Sequence, residues 1–491
     1  MPIPTLVTFI AYFVLLLGIG LYFYRKNVSI EDYLLGGRSM GPWVTALSAQ
    51  ASDMSGWLLM GLPGAIYLAG TGNVWIAIGL FAGTVLNWKL VAGRLRVYTQ
   101  KTNAITLPCF FETRFGDPTG LLRMVSAIII LLFFTIYASA QLVAAGKLFE
   151  STFQVRYETA VVIGGLIIIA YTFLGGFLAV CWTDLFQGTL MVLALVIVPA
   201  VAYMDVGGLS AISEAMTSKG IQKSLMPSGD ISALLMIVSA TAWGLGYFGQ
   251  PHILARFMSV KSVAKLRQSM TIAIVWVFFS LAGALTIGFI GIPMFGNLAV
   301  AEGEHEKVFI YMVIKVMHPW LAGTMLAAVL SAIMSTIDSQ LLVSSSALTE
   351  DFYQKAIRKN ASAKEVVLVG RICVIIISLI ALVLALRPDE TILQIVAYAW
   401  GGFGAAFGPL VLCGLFSRKT SWQSALAGMV IGTIVLVVWK QVGLSDAMYE
   451  IVPGFLANCL TIFVLNRIIG QKDQKVLTQY QQFVETLAAK N

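Results

Sequence analysis

The groups in this sequence that could do chemistry are oxygen ligands set in apolar surroundings. Asp53 stands near the middle of PWVTALSAQASDMSGWLLMGLPGAIYLAG, residues 42–70, inside the small, polar run Ala51-Ser52-Asp53-Met54-Ser55-Gly56. A second cluster is Ser331-Ala332-Ile333-Met334-Ser335-Thr336-Ile337-Asp338-Ser339-Gln340. A carboxylate at membrane depth is costly unless it faces water, an ion or a buried partner. The plainer alternative for Asp53 is a lysine or an amide on a neighbouring helix. Hydroxyls in apolar helices often bond back to their own i−4 carbonyl or hold two helices together. Several hydroxyls beside freed carbonyls are also what a hard cation needs, and half-unwound helices supply such carbonyls. The carbonyls near Ala51 and Met54, with the Ala332 carbonyl and the Ser335 and Thr336 hydroxyls, can form such a cage. Sodium suits it better than a transition metal, because no imidazole or thiolate cluster is on offer. Asp338 is a group behind that cage, part of a second ion site, or a helix-packing partner.

The elements that must position these groups are membrane helices. Of the 491 residues 58% are hydrophobic and only 11% charged, against roughly 25% charged in soluble domains. Stretches of about 20 apolar residues recur, as in an all-α integral membrane protein. The first begins at Ile3 with no basic region before it and no small-residue cleavage site, so it reads as a retained helix and not a signal peptide. The net charge of +8 fits Lys/Arg-rich connections and not a nucleic-acid partner. The five cysteines and three histidines are scattered without metal-ligand or disulfide spacing. No nucleophile–base pair is spaced as an enzyme would need. After about Gly470 the sequence predicts only a short polar tail, with no room for a kinase or nucleotide-binding domain.

About thirteen spans are expected, near 3–23, 42–70, 73–92, 123–146, 158–177, 180–204, 231–257, 270–294, 321–347, 365–386, 391–416, 422–439 and 449–468. Residues 308–317 are apolar but shorter, and read as an interfacial helix. One set of connections carries Arg25, Lys26, Arg38, Arg94, Arg96, Arg114, Arg256, Lys359 and Lys490 among many basic residues; the other carries few, such as Lys147 and Lys307. The asymmetry puts the N-terminus outside and the C-terminus inside. The seventh span contains Ala242-Trp243-Gly244-Leu245-Gly246-Tyr247-Phe248-Gly249-Gln250-Pro251, whose glycines and proline disfavour a continuous helix; close helix packing is the other use of such glycines. Two broken helices of opposite sense, five spans apart, are what a five-plus-five inverted repeat predicts. The chain then divides into an extra helix and loop over 1–41, repeats over 42–204 and 231–416, and extra helices with a tail over 417–491.

Charges within the spans are few: Asp53, Asp184 and Asp338, with Arg371 near an end. A strongly anionic solute would find almost no basic partner. Trp57, Tyr137, Trp243, Tyr247 and Phe248 lie near the breaks. Their faces suit an apolar ring or a cationic nitrogen, while N–H groups freed at a half-helix N-terminus suit a carboxylate. A small zwitterion with an apolar body satisfies all three; core or interface-belt packing is the alternative for any one ring.

The stretches DYLLGGRSMGPWVTALSAQASDMSGWLLMGLPGA, WKLVAGRLRV, YTFLGGFLAVCWTD, WGLGYFGQPHILARFM, MSTIDSQLLVSSSALTEDFY and YAWGGFGAAFGP resemble the sodium:solute symporter family over nearly the whole chain, and its proline-transporting branch in particular. The resemblance implies the leucine-transporter-type fold with thirteen spans and alternating access. It implies a sodium site of Ala51, Met54, Ala332, Ser335 and Thr336, with Asp53, Ser55 and Gly56 needed nearby for ion and solute. It places Trp243, Tyr247 and Pro251 in the solute motif and Tyr137 in the pocket, which Trp57 adjoins. Arg38 and Asp184 match positions of sodium passage or inner gating, and the resemblance leaves the role of Asp338 open. The expectation is a sodium-coupled L-proline importer of a bacterial cytoplasmic membrane, with sodium and L-proline as ligands, the bilayer as surroundings, no further cofactor and no obligatory protein partner. A sodium symporter for another small solute, a transport-derived proline sensor and an ion channel are the alternatives.

Overall fold

The computed structural model describes residues 3–24, 35–172, 176–226, 231–298, 303–358 and 360–489. Arg25, Lys26, Lys359 and Lys490, used above for the charge asymmetry, and residues 173–175 of the YTFLGG stretch lie outside these. Apart from an isolated bridge between Met40 and Val260, all regular structure among the described residues is helical. In chain order the helices are α1 (Ile3–Tyr24), α2 (Pro42–Asp53), α3 (Leu62–Ala69), α4 (Val74–Leu86), α5 (Gly93–Thr102), α6 (Leu107–Phe115), α7 (Leu121–Phe153), α8 (Tyr157–Thr172), α9 (Phe177–Asp205) and α10 (Gly208–Ser218). There follow α11 (Ile231–Thr241), α12 (Pro251–Ser259), α13 (Val263–Phe295), α14 (Val308–Val316), α15 (Pro319–Ser346), α16 (Ala363–Ala385), α17 (Ile392–Phe416), α18 (Trp422–Gln441), α19 (Ile451–Ile468) and α20 (Gln474–Ala488).

Eleven stretches among the described residues are long and apolar enough to cross a membrane. One of them, Trp57–Thr102, has 46 residues, more than twice the ~20 that a single crossing needs. It bends at Gly70–Asn73, where Gly70 takes φ +68°, a conformation open to glycine at little cost. Two of the expected spans are broken. The 42–70 stretch is split between α2 and α3, and the 231–257 stretch between α11 and α12.

Packing explains where the polar residues go. Helix α15 contacts α1, α2, α7, α9 and α16, and its apolar window is 83% buried inside the protein, against 22% for α1. A helix that faces its neighbours and not lipid can carry several hydroxyls and a carboxylate, whereas α1 keeps the hydroxyl residues Thr5 and Tyr12 on its buried side. The short helix α14 follows a charged turn, Glu304–Lys307. There Glu306 is paired with Lys147 at 2.7 Å and accepts from the Ile392 and Leu393 N–H groups at the start of α17, 3.1 and 3.2 Å away. Those are N–H groups that the helix itself leaves unbonded. Burial alone would raise the Glu304 carboxyl of the same turn; hydrogen bonds from Lys307 and Tyr311 outweigh it and hold the group below its ordinary range.

The structure adds detail at two places. The polar tail after Gly470 contains α20, capped by Asp473, with Val476, Tyr480 and Phe483 buried against α5 and α6. Its apolar residues recur at helical spacing, but the segment is too polar on average to register as a span. Arg96, Arg114 and Arg256, counted above among the basic residues of the connections, are buried. Arg96 donates to the Val260 carbonyl and Arg114 to the Gly414 carbonyl, each at 2.6 Å. Guanidinium groups are weakly hydrated and can satisfy their donors on main-chain carbonyls.

Candidate functional site

Helix α2 starts with Pro42 at its first turn and stops at Asp53. Met54 leaves the helix with ψ 83°, and the chain recoils from Gly56 into a wide π-type turn over Trp57–Gly61. The groups freed by this break are met by side chains, as buried main-chain polar groups must be. The Gly56 N–H donates to Gln141 Oε1 at 3.2 Å, and Gln141 Nε2 donates to Ser55 Oγ at 3.2 Å. The Asp53 carbonyl accepts from the Trp57 indole at 3.1 Å and from the Tyr137 hydroxyl at 3.5 Å. Glycine is needed at 56 because an added Cβ would lie 2.8 Å from the Ala144 Cβ.

The end of α2 meets α15. The Ser335 hydroxyl lies 2.7 Å from the Ala51 carbonyl and 3.3 Å from the Ala332 carbonyl, and the Thr336 hydroxyl lies 3.4 Å from the Ala51 carbonyl. Ala51, Met54, Ala332, Ser335 and Thr336 are all buried. Neutral oxygens from two helices therefore gather at the C-terminal end of α2, where the helix dipole is negative. This donor set suits a hard monovalent cation and offers nothing to a soft metal.

The other broken span meets the same place from the opposite side. Between α11 and α12 the chain winds as a 3-10 helix over Ala242–Gly249, followed by extended Gln250. Its glycines admit neighbouring backbone: a Cβ on Gly244 would strike Gly79 and one on Gly249 would strike Phe403. The Tyr247 hydroxyl donates to Asp53 Oδ2 at 2.6 Å. Asp53 Oδ1 has no hydrogen-bond partner among the described residues. Trp57 lies with its ring centroid 6.2 Å from that of Trp243. The Trp400 indole donates to the Trp243 carbonyl at 2.8 Å and stands edge-on to Tyr247, with centroids 5.0 Å apart. Asp53, Trp57, Tyr137, Trp243 and Tyr247 thus form one buried cluster next to the Ala51 oxygen group. A Cβ at Gly246 would fall on the Trp400 indole. Gly246→Ala is therefore expected to lower unfolding free energy in detergent by about 1–3 kcal/mol, the usual cost of overpacking; an unchanged unfolding curve would refute the tight fit.

The remaining predicted residues lie elsewhere. Asp184 is paired with Arg256 at 3.3 Å and accepts from Ser48 at 2.7 Å. Arg256 also donates to Ser48 at 3.1 Å and to Ser339 at 2.5 Å, and the whole knot is buried. Arg38, with φ 52°, donates to the Met258 and Ala104 carbonyls at 3.0 and 2.9 Å, so it ties its turn to the ends of α5 and α12. Pro251 opens α12 and lines a separate cavity with Ala255, Met258, Leu342 and Asp351. Asp338 is buried on α15, one turn beyond Ser335. Sequence reasoning missed Gln141, Trp400 and Ser48, and counted Arg256 among the charges of the connections. Gln141 left a signal, as the lone amide in the apolar run of α7.

The chain as a whole resembles known proteins. The family model described as the sodium:solute symporter family matches residues 33–432. The chain is 50% identical to a sodium/proline symporter of Salmonella typhimurium over 94% of its own length and 93% of that protein's. It is 46% identical to the high-affinity proline transporter PutP of Bacillus subtilis, over 96% of its length and all of that protein's. Among solved structures, a Na+-coupled sialic acid symporter in its substrate-bound outward-open state superposes with a TM-score of 0.79 at 18% identity, covering 96% of this chain and 99% of the other. The nucleobase-cation symporter Mhp1 in a closed conformation follows with a TM-score of 0.57 at 13% identity, covering 93% and 99%. These structures share its fold, an all-helical bundle built on broken helices, and the match to residues 33–432 together with half-identity along nearly the whole length means that this chain belongs to the sodium:solute symporter family.

Proposed function

We propose that this protein imports L-proline together with sodium across a bacterial cytoplasmic membrane, by alternating access, and is not an enzyme. Relatives named as sodium/proline symporters match it over 94% of its length. The observation that carries the reading is the contact between the two broken spans: the Tyr247 hydroxyl on Asp53, two residues from the Ala51 carbonyl that meets Ser335 and Thr336. An ion at Ala51, Met54, Ala332, Ser335 and Thr336 orders the end of α2. That ordering sets Asp53, Ser55 and Gly56 against the wall of Trp57, Tyr137, Trp243 and Tyr247, where the proline ring packs. Asp184 with Arg256, and Arg38 with the ends of α5 and α12, hold the inner side, and Pro251 starts the half-helix beyond the break.

In this reading the chain crosses the membrane thirteen times, with residues 42–204 and 231–416 as inverted repeats, the N-terminus outside and the C-terminus inside. One sodium moving inward gains about 2.3 kcal/mol per 100 mV, nearly fifty-fold in accumulation. The test is labelled proline uptake into proteoliposomes with and without an inward sodium gradient. Sodium-dependent accumulation, abolished by excess unlabelled proline, is expected. If sodium drives no proline uptake, the solute assignment falls and competition by other small solutes replaces it.

A further inference from the structure

Away from this site, one surface feature joins an apolar groove to positive charge. The groove, about 410 Å³, lies between α2, α9 and α13 and is lined by Leu47, Val192, Val275, Trp276 and Phe279, with Trp43 at its edge. Trp43 is 62% exposed and Val275 51%, so in a membrane protein the groove opens to hydrocarbon.

Its basic end is fixed by the chain itself. The Met40–Val260 bridge, with the Lys261 N–H on the Met40 carbonyl at 3.0 Å, starts α2 and α13 side by side. On α13, Arg267 precedes Thr271, Val275 and Phe279 by four, eight and twelve residues, so one stripe of the helix carries the cation and then three groove residues. Arg267 is exposed, and so is Lys265 two residues earlier, roughly 160° round the helix axis, so the two cations flank the stripe from either side. Cations at the head of an apolar channel match the two parts of an anionic lipid.

We propose that this groove holds an acyl chain of an anionic phospholipid, phosphatidylglycerol, with its phosphate held by Lys265 and Arg267. The floor of the groove gives the site its reach. Gly188 on α9 packs so closely that an added Cβ would lie 3.3 Å from the Ala51 Cβ, and the Trp276 indole donates to the Gly188 carbonyl at 2.8 Å. The lipid therefore braces the back of the α2 segment that carries the Ala51 oxygen; its effect on uptake rests on the transport reading, while its binding does not.

The test is retention of phosphatidylglycerol against phosphatidylcholine by the purified full chain, read by native mass spectrometry. Wild type is expected to prefer phosphatidylglycerol by about five-fold per cation. K265Q/R267Q, both surface changes, should erase the preference, and V275W should cut retention of both lipids by filling the groove. Equal retention of the two lipids by wild type, or an undiminished preference in K265Q/R267Q, overturns the proposal even if V275W fails to fold. Proline uptake in the same lipids separates the two readings: a preference that persists where no lipid supports uptake leaves the lipid site standing and removes the transport assignment.

Discussion

Asp53→Asn is expected to reduce sodium-driven proline uptake about a hundredfold while the protein reaches the membrane in normal amount. The change preserves size and leaves an acceptor for the Tyr247 hydroxyl, so packing is nearly undisturbed. What it removes is the carboxyl group at the meeting of the two broken spans, and with it the negative charge that group can carry opposite a cation. A charge-assisted hydrogen bond exceeds a neutral one by about 1–1.5 kcal/mol, and attraction for a cation several ångströms away adds about 1–2 kcal/mol; together about 2.8 kcal/mol corresponds to the hundredfold. The measurement is initial uptake rate against sodium concentration, alongside the quantity of protein in the membrane. Near-normal uptake would show that Asp53 serves neither ion nor coupling.

Asp184→Ala is expected to cost about 3–5 kcal/mol of stability, because it strands a buried guanidinium. Arg256 would keep Ser48, Ser339 and the His252 carbonyl, 3.0 Å from it, but none of these is charged. Unfolding in graded denaturing detergent reads the loss. The double variant Asp184→Ala, Arg256→Leu should recover most of it, since replacing both members of a buried pair is often nearly neutral. If the single variant unfolds like wild type, the pair is not the fastener that its geometry indicates.

How much of this was legible in the sequence depended on whether a signal was local. The break in α2 announces itself, since Ser-Asp-Met-Ser-Gly is a poor membrane helix wherever it sits. The glycines and proline around Tyr247 do the same for the seventh span. The oxygen group of Ala51, Ser335 and Thr336 was also readable, because chemistry restricts which residues can serve a hard cation. Trp400 was not readable as a partner. The YAWGG stretch marks a close-packed helix, but the hydrogen bond to the Trp243 carbonyl spans 157 residues and exists only once the bundle forms. Arg256 misled for a related reason: a charge in a sequence carries no label for its depth, and only Asp184, 72 residues away, explains why it can be buried. Helix α20 was hidden by averaging, because its apolar stripe is narrow and the rest of the segment is polar.

The 3-10 winding of Ala242–Gly249 stores length and rotation. A 3-10 helix rises about 2.0 Å and turns about 120° per residue, an α-helix about 1.5 Å and 100°. Over the 8 residues of this stretch the difference amounts to ~4 Å and ~160°. Recoiling only two of them would draw α12 toward the middle by ~1 Å and turn it by ~40°. Arg256 rides on α12, so its grip on Asp184 would swing away with that turn, while Tyr247, inside the recoiling stretch, would be lifted from Asp53. The segment is in effect a screw thread, by which one change of pitch would loosen the Tyr247–Asp53 contact and the Arg256–Asp184 contact in a single motion.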